Sequence, residues 1–111
     1  MQEQHYTEND QKLFRSKIAG WQTDYIDRLN KGYMELLSKD AAPADKFWEL
    51  DERIRADKKK AGVLVDMRRS RLIENLVSLL VEGAIGPEDL EEFSDPLQEA
   101  VEHLAGYWRE C

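Results

Sequence analysis

The sequence predicts an all-α fold, a small bundle of four to five helices with a long N-terminal helix. Apolar side chains over residues 14–36 recur every three or four positions, which is the spacing of one helix face. No stretch of useful length alternates apolar and polar residues, and no Asn-Gly or Asp-Gly pair offers a hairpin turn. The 111 residues suffice for one core, so we predict a single domain over 1–111, frayed at 1–7.

The first helix is predicted to begin near Glu8, because Thr7 and Asp10 have the spacing of a capping box. A helix of thirty residues would be roughly 45 Å long. We expect a kink at Gly32, since glycine weakens a helix interior. The apolar stripe of this helix consists of Phe14, Ile18, Trp21, Tyr25, Leu29, Tyr33 and Leu36.

A second helix is predicted after a loop over residues 38–42, with Pro43 at its first position, where proline's missing N–H costs nothing. We expect this helix to run to about Lys60. The predicted apolar stripe is Phe47, Leu50 and Ile54, with Trp48 beside it, and Asp51 with Arg55 forms an outer i,i+4 ion pair.

A break is predicted at Gly62, because the apolar triplet 63–65 has no helical period. The third helix should run roughly from Asp66 to Glu82, and Gly83 is placed as its C-terminal stop. Its predicted buried positions are Leu72, Leu76, Leu79 and Leu80.

Two short helices are predicted in the last part of the chain, because Gly86-Pro87 and Ser94-Asp95-Pro96 each combine a cap residue with a following proline. Acidic residues in the first turn of such a helix stabilise it, because their negative charge lies at the positive end of the helix dipole. The stripe predicted for the final helix is Leu97, Val101, Leu104 and Trp108.

The net charge of −7 is concentrated in the last quarter of the chain. Residues 1–42 and 43–82 carry −1 and +1, whereas residues 83–111 hold one basic and eight acidic residues and carry −7. A surface of one sign steers oppositely charged partners toward it, so the charge bears on binding more than on folding.

We predict no catalytic, metal or cofactor site. The two histidines, His5 and His103, are about 100 residues apart in sequence, and neither has the paired spacing of a zinc site or the setting of a nucleophile triad. His103 and Glu99 are predicted to form a solvated pair, although with Cys111 they could in principle form a cluster. Neighbouring carboxylates diverge on a helix, and no glycine-rich phosphate loop is present.

The longest apolar run has three residues, far short of the roughly 20 that a membrane span needs and the roughly 7–15 of a secretory signal core. The lone cysteine cannot build a disulfide framework, which fits a reducing compartment. We therefore expect a cytoplasmic protein that does not enter a membrane.

The basic residues of the middle segment indicate a possible nucleic-acid surface. Lysines end one predicted helix and arginines begin the next, a layout loosely like a helix-turn-helix. The alternative is that the arginines pair with the acidic final helices, and the sequence pI near 4.8 argues against direct nucleic-acid binding. The residues concerned are Arg53, Arg55, Lys58, Lys59, Lys60, Arg68, Arg69 and Arg71.

The acidic residues of the last segment indicate the opposite possibility, a surface that imitates the phosphate row of a nucleic acid and occupies a basic channel. The alternative is that these acidic residues form a solvent-exposed face that only keeps the protein soluble. This acidic face consists of Glu88, Asp89, Glu91, Glu92, Asp95, Glu99 and Glu102.

The candidate aromatic anchors are the three tryptophans, Trp21, Trp48 and Trp108. We expect one of them to lie at an interface, because tryptophan is frequent at the centre of interfaces.

Several short motifs of residues 44–105 together resemble a pattern in small helical proteins of gut Firmicutes and their phages and mobile elements. They are Lys46-Phe47-Trp48, Arg53-Ile54-Arg55, Gly62-Val63, Met67-Arg68-Arg69-Ser70, Gly83-Ala84-Ile85, Asp89-Leu90 and Phe93-Ser94. The resemblance implies no activity, but small acidic proteins of mobile elements often act by binding, for example as inhibitors of host nuclease defences.

These observations predict a non-enzymatic protein that docks on a partner protein, in its sharpest form an anti-CRISPR-like inhibitor or regulator of a nucleic-acid-handling enzyme that acts by occlusion. We also expect a homodimer formed through the long first helix. The alternative is a nucleic-acid-binding transcriptional regulator that uses the basic residues of 53–71.

Overall fold

The computed structural model describes residues 8–110, with side chains as far as Tyr107. These residues form four α-helices and two 3-10 turns and contain no β-strand, so the fold is all-α with a long N-terminal helix, as predicted. The elements are α1 (Glu8–Ser38), α2 (Pro43–Asp57), a 3-10 turn (Arg69–Arg71), α3 (Leu72–Val81), a second 3-10 turn (Pro87–Leu90) and α4 (Asp95–Glu110).

The main core lies between the first half of α1, α3 and α4, and we call this part, residues 8–25 and 61–110, the head. Leucine and valine side chains of α3 and α4 fill its centre without solvent contact, because these two helices pack on each other along most of α3. Completely covered side chains include Leu76, Val77, Leu79, Leu97 and Val101.

Helix α1 begins at Glu8 and continues as helix through Gly32. Thr7, the other half of the predicted capping box, lies outside the described residues. The predicted stripe faces inward along the whole helix, since burial follows the 3.6-residue period. Phe14, Ile18, Tyr25 and Leu36 are buried, and Trp21, Leu29 and Tyr33 are half-buried.

The second half of α1 and α2 form a helical hairpin that projects from the head, and we call residues 26–57 the arm. No residue of α2 is buried, and Leu36 is the only buried residue of the arm. The radius of gyration of 16.6 Å exceeds the roughly 13 Å expected for a compact chain of this length. The molecule is therefore elongated, with extents of 58 × 30 × 23 Å.

The prediction that Phe47 belongs to a buried stripe is wrong, because its side chain is 61% exposed. Leu50 and Ile54, the other members of the stripe, are half-buried against α1. The helix nevertheless begins at Pro43, as predicted, and ends at Asp57, three residues before the predicted end.

Helix α3 begins at Leu72, six residues later than predicted. The Asp66 carboxylate accepts hydrogen bonds from the Arg68 backbone N–H at 3.1 Å and from the Arg68 guanidinium, and these bonds hold a non-helical turn. The four predicted leucines are all buried. Gly83 ends the helix region with a φ of 82°, the left-handed conformation expected of a C-terminal glycine.

The last segment contains one 3-10 turn, at Pro87–Leu90, and one 16-residue helix, where two short helices were predicted. The stripe of α4 follows Leu97, Val101 and Ala105, which are buried. Leu104 is 36% exposed, so its place in the predicted stripe is wrong: α4 faces α3 through successive i,i+4 positions. The side chain of Trp108 lies outside the described residues.

Two sets of contacts position the arm, one at the start of the head segment that follows α2 and one from α1 of the arm to the head. The Glu82 carboxylate accepts hydrogen bonds from the backbone N–H groups of Ala61, at 3.1 Å, and Gly62, at 3.2 Å. On the other side, the Arg28 guanidinium donates to the carbonyl of Gly83 at 3.0 Å and lies 5.3 Å from the ring centre of Tyr25. These contacts fix the direction in which the arm leaves the head.

Candidate functional site

The most exposed aromatic pair of the described residues lies on α2. Phe47 and Trp48 are each 61% exposed, and their rings meet edge to face with centroids 4.9 Å apart. Exposed tryptophan is uncommon on a surface that binds nothing and frequent at the centre of interfaces. This pair therefore marks α2 as the first candidate for a binding surface.

Trp48 lines an open depression of about 650 Å³ on the outer side of α2, and the rest of its lining is charged. Glu49 pairs with Arg53 at 2.7 Å, and Asp51 pairs with Arg55 at 2.5 Å, the i,i+4 pair that the sequence predicted. The hydrogen bond from Arg53 lowers the pKa of Glu49. The indole thus stands among four carboxylates and two guanidinium groups, and both guanidinium groups are paired along the helix, with Glu49 and Asp51. The charged residues around it are Asp45, Glu49, Asp51, Glu52, Arg53 and Arg55.

A second concavity lies between α1 and α2 and shares no residue with the depression around Trp48. It is a groove of about 230 Å³ whose lining is mostly apolar. Sequence reasoning missed it, because its members belong to α1, α2 and the loop after α2, and only the folded hairpin brings them together. The groove is lined by Ile26, Leu29, Asn30, Tyr33, Ile54, Asp57, Lys58 and Val63.

A polar cluster closes one side of this groove. The Tyr33 hydroxyl donates a hydrogen bond of 2.5 Å to the Asp57 carboxylate, which also pairs with Lys60 at 3.2 Å. Burial, followed by this hydrogen bond and the charge of Asp57, raises the pKa of Tyr33 to about 12. Tyr33 is therefore neutral at physiological pH and fixes α2 against α1.

The predicted acidic face lies on the second 3-10 turn and on α4, at the surface of the head. Two of its seven residues have partners within the chain: the half-buried Asp89 accepts a hydrogen bond from the Gly86 N–H at 2.8 Å, and Glu92 pairs with Lys17 at 3.1 Å. The others are exposed and take part in no ion pair among residues 8–107. These five are Glu88, Glu91, Asp95, Glu99 and Glu102.

The three tryptophans differ in their surroundings. Trp21 is half-buried in the head between Phe14 and Phe93, with ring centroids 6.3 and 6.5 Å away, so it serves the core. Trp48 is exposed. Of the two tryptophans whose side chains the structure describes, Trp48 is therefore the exposed one, and the side chain of Trp108 lies outside the described residues.

Most of the predicted basic residues are paired with carboxylates close to them. The idea that the arginines pair with the acidic final helices is wrong, because their partners lie in α1, α2, α3 and the turn before α3. Arg68 holds the pKa of Asp66 at about 2 through hydrogen bonds from its side chain and its backbone N–H. The pairs are Arg53–Glu49, Arg55–Asp51, Lys60–Asp57, Arg68–Asp66, Arg69–Glu8 and Arg71–Glu74.

Lys58 and Lys59 are the two members of the basic set without an ion pair in the described part of the chain, and both are exposed. Phosphate binding requires several cations that are free to exchange counterions for the nucleic acid. The structure thus provides no observation that favours the nucleic-acid alternative.

Within residues 8–110, no group of three or more His, Cys, Asp or Glu side chains is placed to hold a metal ion. No helix in the same range combines the length and the apolar character that crossing a bilayer would need. His103 and Glu99 are both exposed, and no ion pair joins them in the described residues.

The fold resembles that of the Fluorescence Recovery Protein from Synechocystis sp PCC 6803. Two solved structures of that protein match with a TM-score of 0.73; the sequence identity is 21% for a point mutant and 20% for the other structure. Each match covers 90% of this chain and 97% of that chain. At 20–21% sequence identity, this similarity shows a shared fold and carries no conclusion about function. No family model and no curated protein matches the chain, and the resemblance to proteins of gut Firmicutes stays a prediction.

Proposed function

We propose that this protein is a non-enzymatic binding module that docks on a partner protein, with Trp48 on the outer side of α2 as its anchor. The observation that carries the proposal is the exposure of this indole, 61%, at an open depression. Burying an aromatic side chain of this size contributes more to an interface than any smaller exposed residue nearby can.

The charged lining of the depression supports specificity. Its two guanidinium groups and two of its carboxylates are held by the i,i+4 pairs Arg53–Glu49 and Arg55–Asp51, so the partner meets these four groups in a preformed arrangement and less side-chain freedom is lost on binding. Arg28 of the arm donates to the Gly83 carbonyl of the head, and Glu82 holds the backbone at Gly62, where the chain enters the head after α2, so these contacts orient α2. A rigid scaffold of this kind suits recognition of one partner surface.

In a more specific form of this proposal, the acidic face also takes part in binding the same partner protein. Five carboxylates on the head that have no ion pair within residues 8–107 attract a basic surface and speed association, as expected for a partner with a nucleic-acid channel. We therefore propose a nucleic-acid-handling enzyme as the partner and occlusion as the mechanism. An origin in a phage or mobile element, with an anti-CRISPR-like role, and a cytoplasmic location belong to this finer form.

The main proposal is tested by quantitative affinity capture from the cells that naturally make the protein, comparing the wild type with Trp48→Ala and Leu64→Ala. Leu64 is a matched control, because it is also apolar and is 71% exposed, but it lies in the loop after α2. We expect the wild type and Leu64→Ala to capture the same partner protein in equal amounts. The amount captured by Trp48→Ala should be at least tenfold lower. Equal capture by all three would contradict the proposal.

The finer proposal is tested with the partner so identified, by measuring the association rate of Glu91→Lys/Asp95→Lys/Glu99→Lys as a function of salt. Glu92 is left intact because it pairs with Lys17. The association rate should fall about tenfold or more at low salt, and the difference from the wild type should shrink as salt screens the charges. An unchanged rate at low salt would remove the acidic face from the mechanism and leave the Trp48 anchor in place.

A further inference from the structure

Two acidic residues flank Trp48 along the outer side of α2. Asp45 lies three positions before the tryptophan and Glu52 four positions after it, so the three side chains share one face of the helix. Both acidic residues are exposed, as the indole is, and all three residues line the same open depression. The indole therefore lies between two negatively charged groups on an open surface.

These two carboxylates carry the excess charge of the depression. Its lining holds four carboxylates and two guanidinium groups, which leaves a net charge of −2. Asp45 and Glu52 take part in no ion pair within the part of the chain that the structure describes. The other four charged residues of the lining form two ion pairs, Arg53–Glu49 and Arg55–Asp51.

The indole ring is a second and independent feature that favours a cation. The face of a tryptophan ring attracts ammonium and guanidinium groups more strongly than the face of tyrosine or phenylalanine does. The Phe47 ring contacts the indole edge to face at 4.9 Å and leaves Trp48 largely open to solvent. A cation on this ring is attracted by the ring and by the carboxylates together. An apolar side chain placed there would instead remove water from two unpaired charges, which is unfavourable.

Arginine fits this arrangement better than lysine does. The planar guanidinium stacks on an aromatic face and carries hydrogen-bond donors on both of its edges, whereas the lysine ammonium is a compact point charge. Asp45 and Glu52 are roughly 10 Å apart along the helix axis, with Trp48 between them. A guanidinium stacked on the indole lies between the two carboxylates, where each carboxylate accepts from a different edge.

We infer that the depression binds an arginine side chain of the partner protein, stacked on Trp48 and hydrogen-bonded to Asp45 and Glu52. The inference rests on the proposed function and names the chemical group that the anchor recognises. The indole then acts as a ring surface for a cation, and the negative depression and the acidic face of the head select the same kind of basic partner surface.

The direct test is an NMR titration of the full-length protein, labelled with nitrogen-15, with three short peptides. The peptides are identical except for one central residue, which is arginine, lysine or citrulline; citrulline has the shape of arginine without its charge. The signal observed is the indole N–H of Trp48, assigned by its absence in Trp48→Phe. The arginine peptide should shift this signal in a saturable way, with a dissociation constant at least fivefold lower than that of either other peptide.

The role of the two carboxylates is tested in the same titration with Asp45→Asn/Glu52→Gln, which removes both charges and keeps the shape of the site. The dissociation constant of the arginine peptide should rise at least fivefold. Asp24→Asn/Glu35→Gln is the matched control, because it removes the charges of two exposed residues of α1, and it should leave the constant within twofold. Circular dichroism checks the helix content, since Asp45 also lies in the first turn of α2, where negative charge stabilises a helix.

Equal dissociation constants for the arginine and citrulline peptides would overturn the inference, as would an unchanged constant in Asp45→Asn/Glu52→Gln. Equal constants for arginine and lysine would overturn the choice of arginine. A Trp48 signal that moves when the protein alone is diluted would assign the site to a second copy of this chain and would also contradict the inference.

Failure of this inference and failure of the proposed function give different results in the capture experiment. Capture that is lost in Trp48→Ala but unchanged in Asp45→Asn/Glu52→Gln would keep the anchor and contradict the arginine site. Capture that is unchanged in Trp48→Ala would contradict the proposed function itself. The peptide titration uses no captured partner, so its result is independent of both outcomes.

Discussion

Of the six glycines, Gly62 is the one at which the fold leaves least room for a side chain. A Cβ placed there would lie 2.3 Å from the Cδ2 atom of Tyr25, whose ring is buried beneath the loop after α2. The close approach lets the backbone N–H of Gly62 reach Glu82. The residue therefore serves the junction between arm and head.

Gly62→Ala is expected to lower the free energy of unfolding by about 1–3 kcal/mol, because the buried Tyr25 ring must shift to admit the methyl group. Urea denaturation measures the change. Gly20→Ala is the control: nothing lies within 4 Å of its Cβ, so it should stabilise α1 by about 0.5–1 kcal/mol. Equal effects of the two substitutions would show that Tyr25 does not restrict the loop.

Tyr33 makes stability depend on pH in the alkaline range. Its pKa in the fold is about 12, above the ordinary 10.0, so the folded protein holds the proton more tightly than the unfolded chain. The contribution of Tyr33 to the free energy of unfolding is complete below about pH 10 and is lost as the pH rises toward 12. Subtracting the urea midpoints of Tyr33→Phe from those of the wild type should isolate this decline, and a difference independent of pH would contradict it.

At the scale of elements, α4 owes its position to a carboxylate from another helix. Asp10, buried near the start of α1, accepts hydrogen bonds from the Ser94 N–H at 2.9 Å and from the Ser94 hydroxyl at 2.6 Å. The N–H groups at a helix start have no partner within the helix, so Asp10 satisfies one of them from a distance of 84 residues.

Asp10→Ala should lower the free energy of unfolding by about 1–3 kcal/mol, since it leaves the polar groups of Ser94 without their acceptor. Asp24→Ala, an exposed position on the same helix, should change it by less than about 0.5 kcal/mol. Thermal or urea unfolding followed by circular dichroism gives both values. A loss at Asp24 as large as at Asp10 would refute the role of this contact.

Helix positions could be predicted from the sequence wherever the spacing of apolar residues agreed with the capping residues. Examples are the start of α1, the start of α2 at Pro43 and the glycine stop after α3 at Gly83. The late start of α3 could not, because Asp66 bonds the Arg68 N–H and holds a turn that periodicity does not register. The exposure of Phe47 could not be predicted for another reason: its spacing from Ile54 defines a stripe, but no third element among residues 8–110 covers it.

For the whole molecule, the sequence located Trp48 and the acidic face but could not show which surfaces are open. Charge counting suggested that basic residues neutralise the acidic end of the chain, whereas the fold pairs most of them with nearby carboxylates. The groove between α1 and α2 depends on how the hairpin closes, which no local spacing encodes. The head and arm together give a short chain an elongated shape with distinct surfaces.

The central claim, that the protein acts by binding through the outer side of α2, is tested most directly by photo-crosslinking in cells. A photoreactive amino acid is placed at position 48 in one variant and at position 64 in another. The account predicts one dominant covalent adduct with the same partner protein from position 48 and little or none from position 64. No adduct from position 48, or equal yields from both positions, would contradict it.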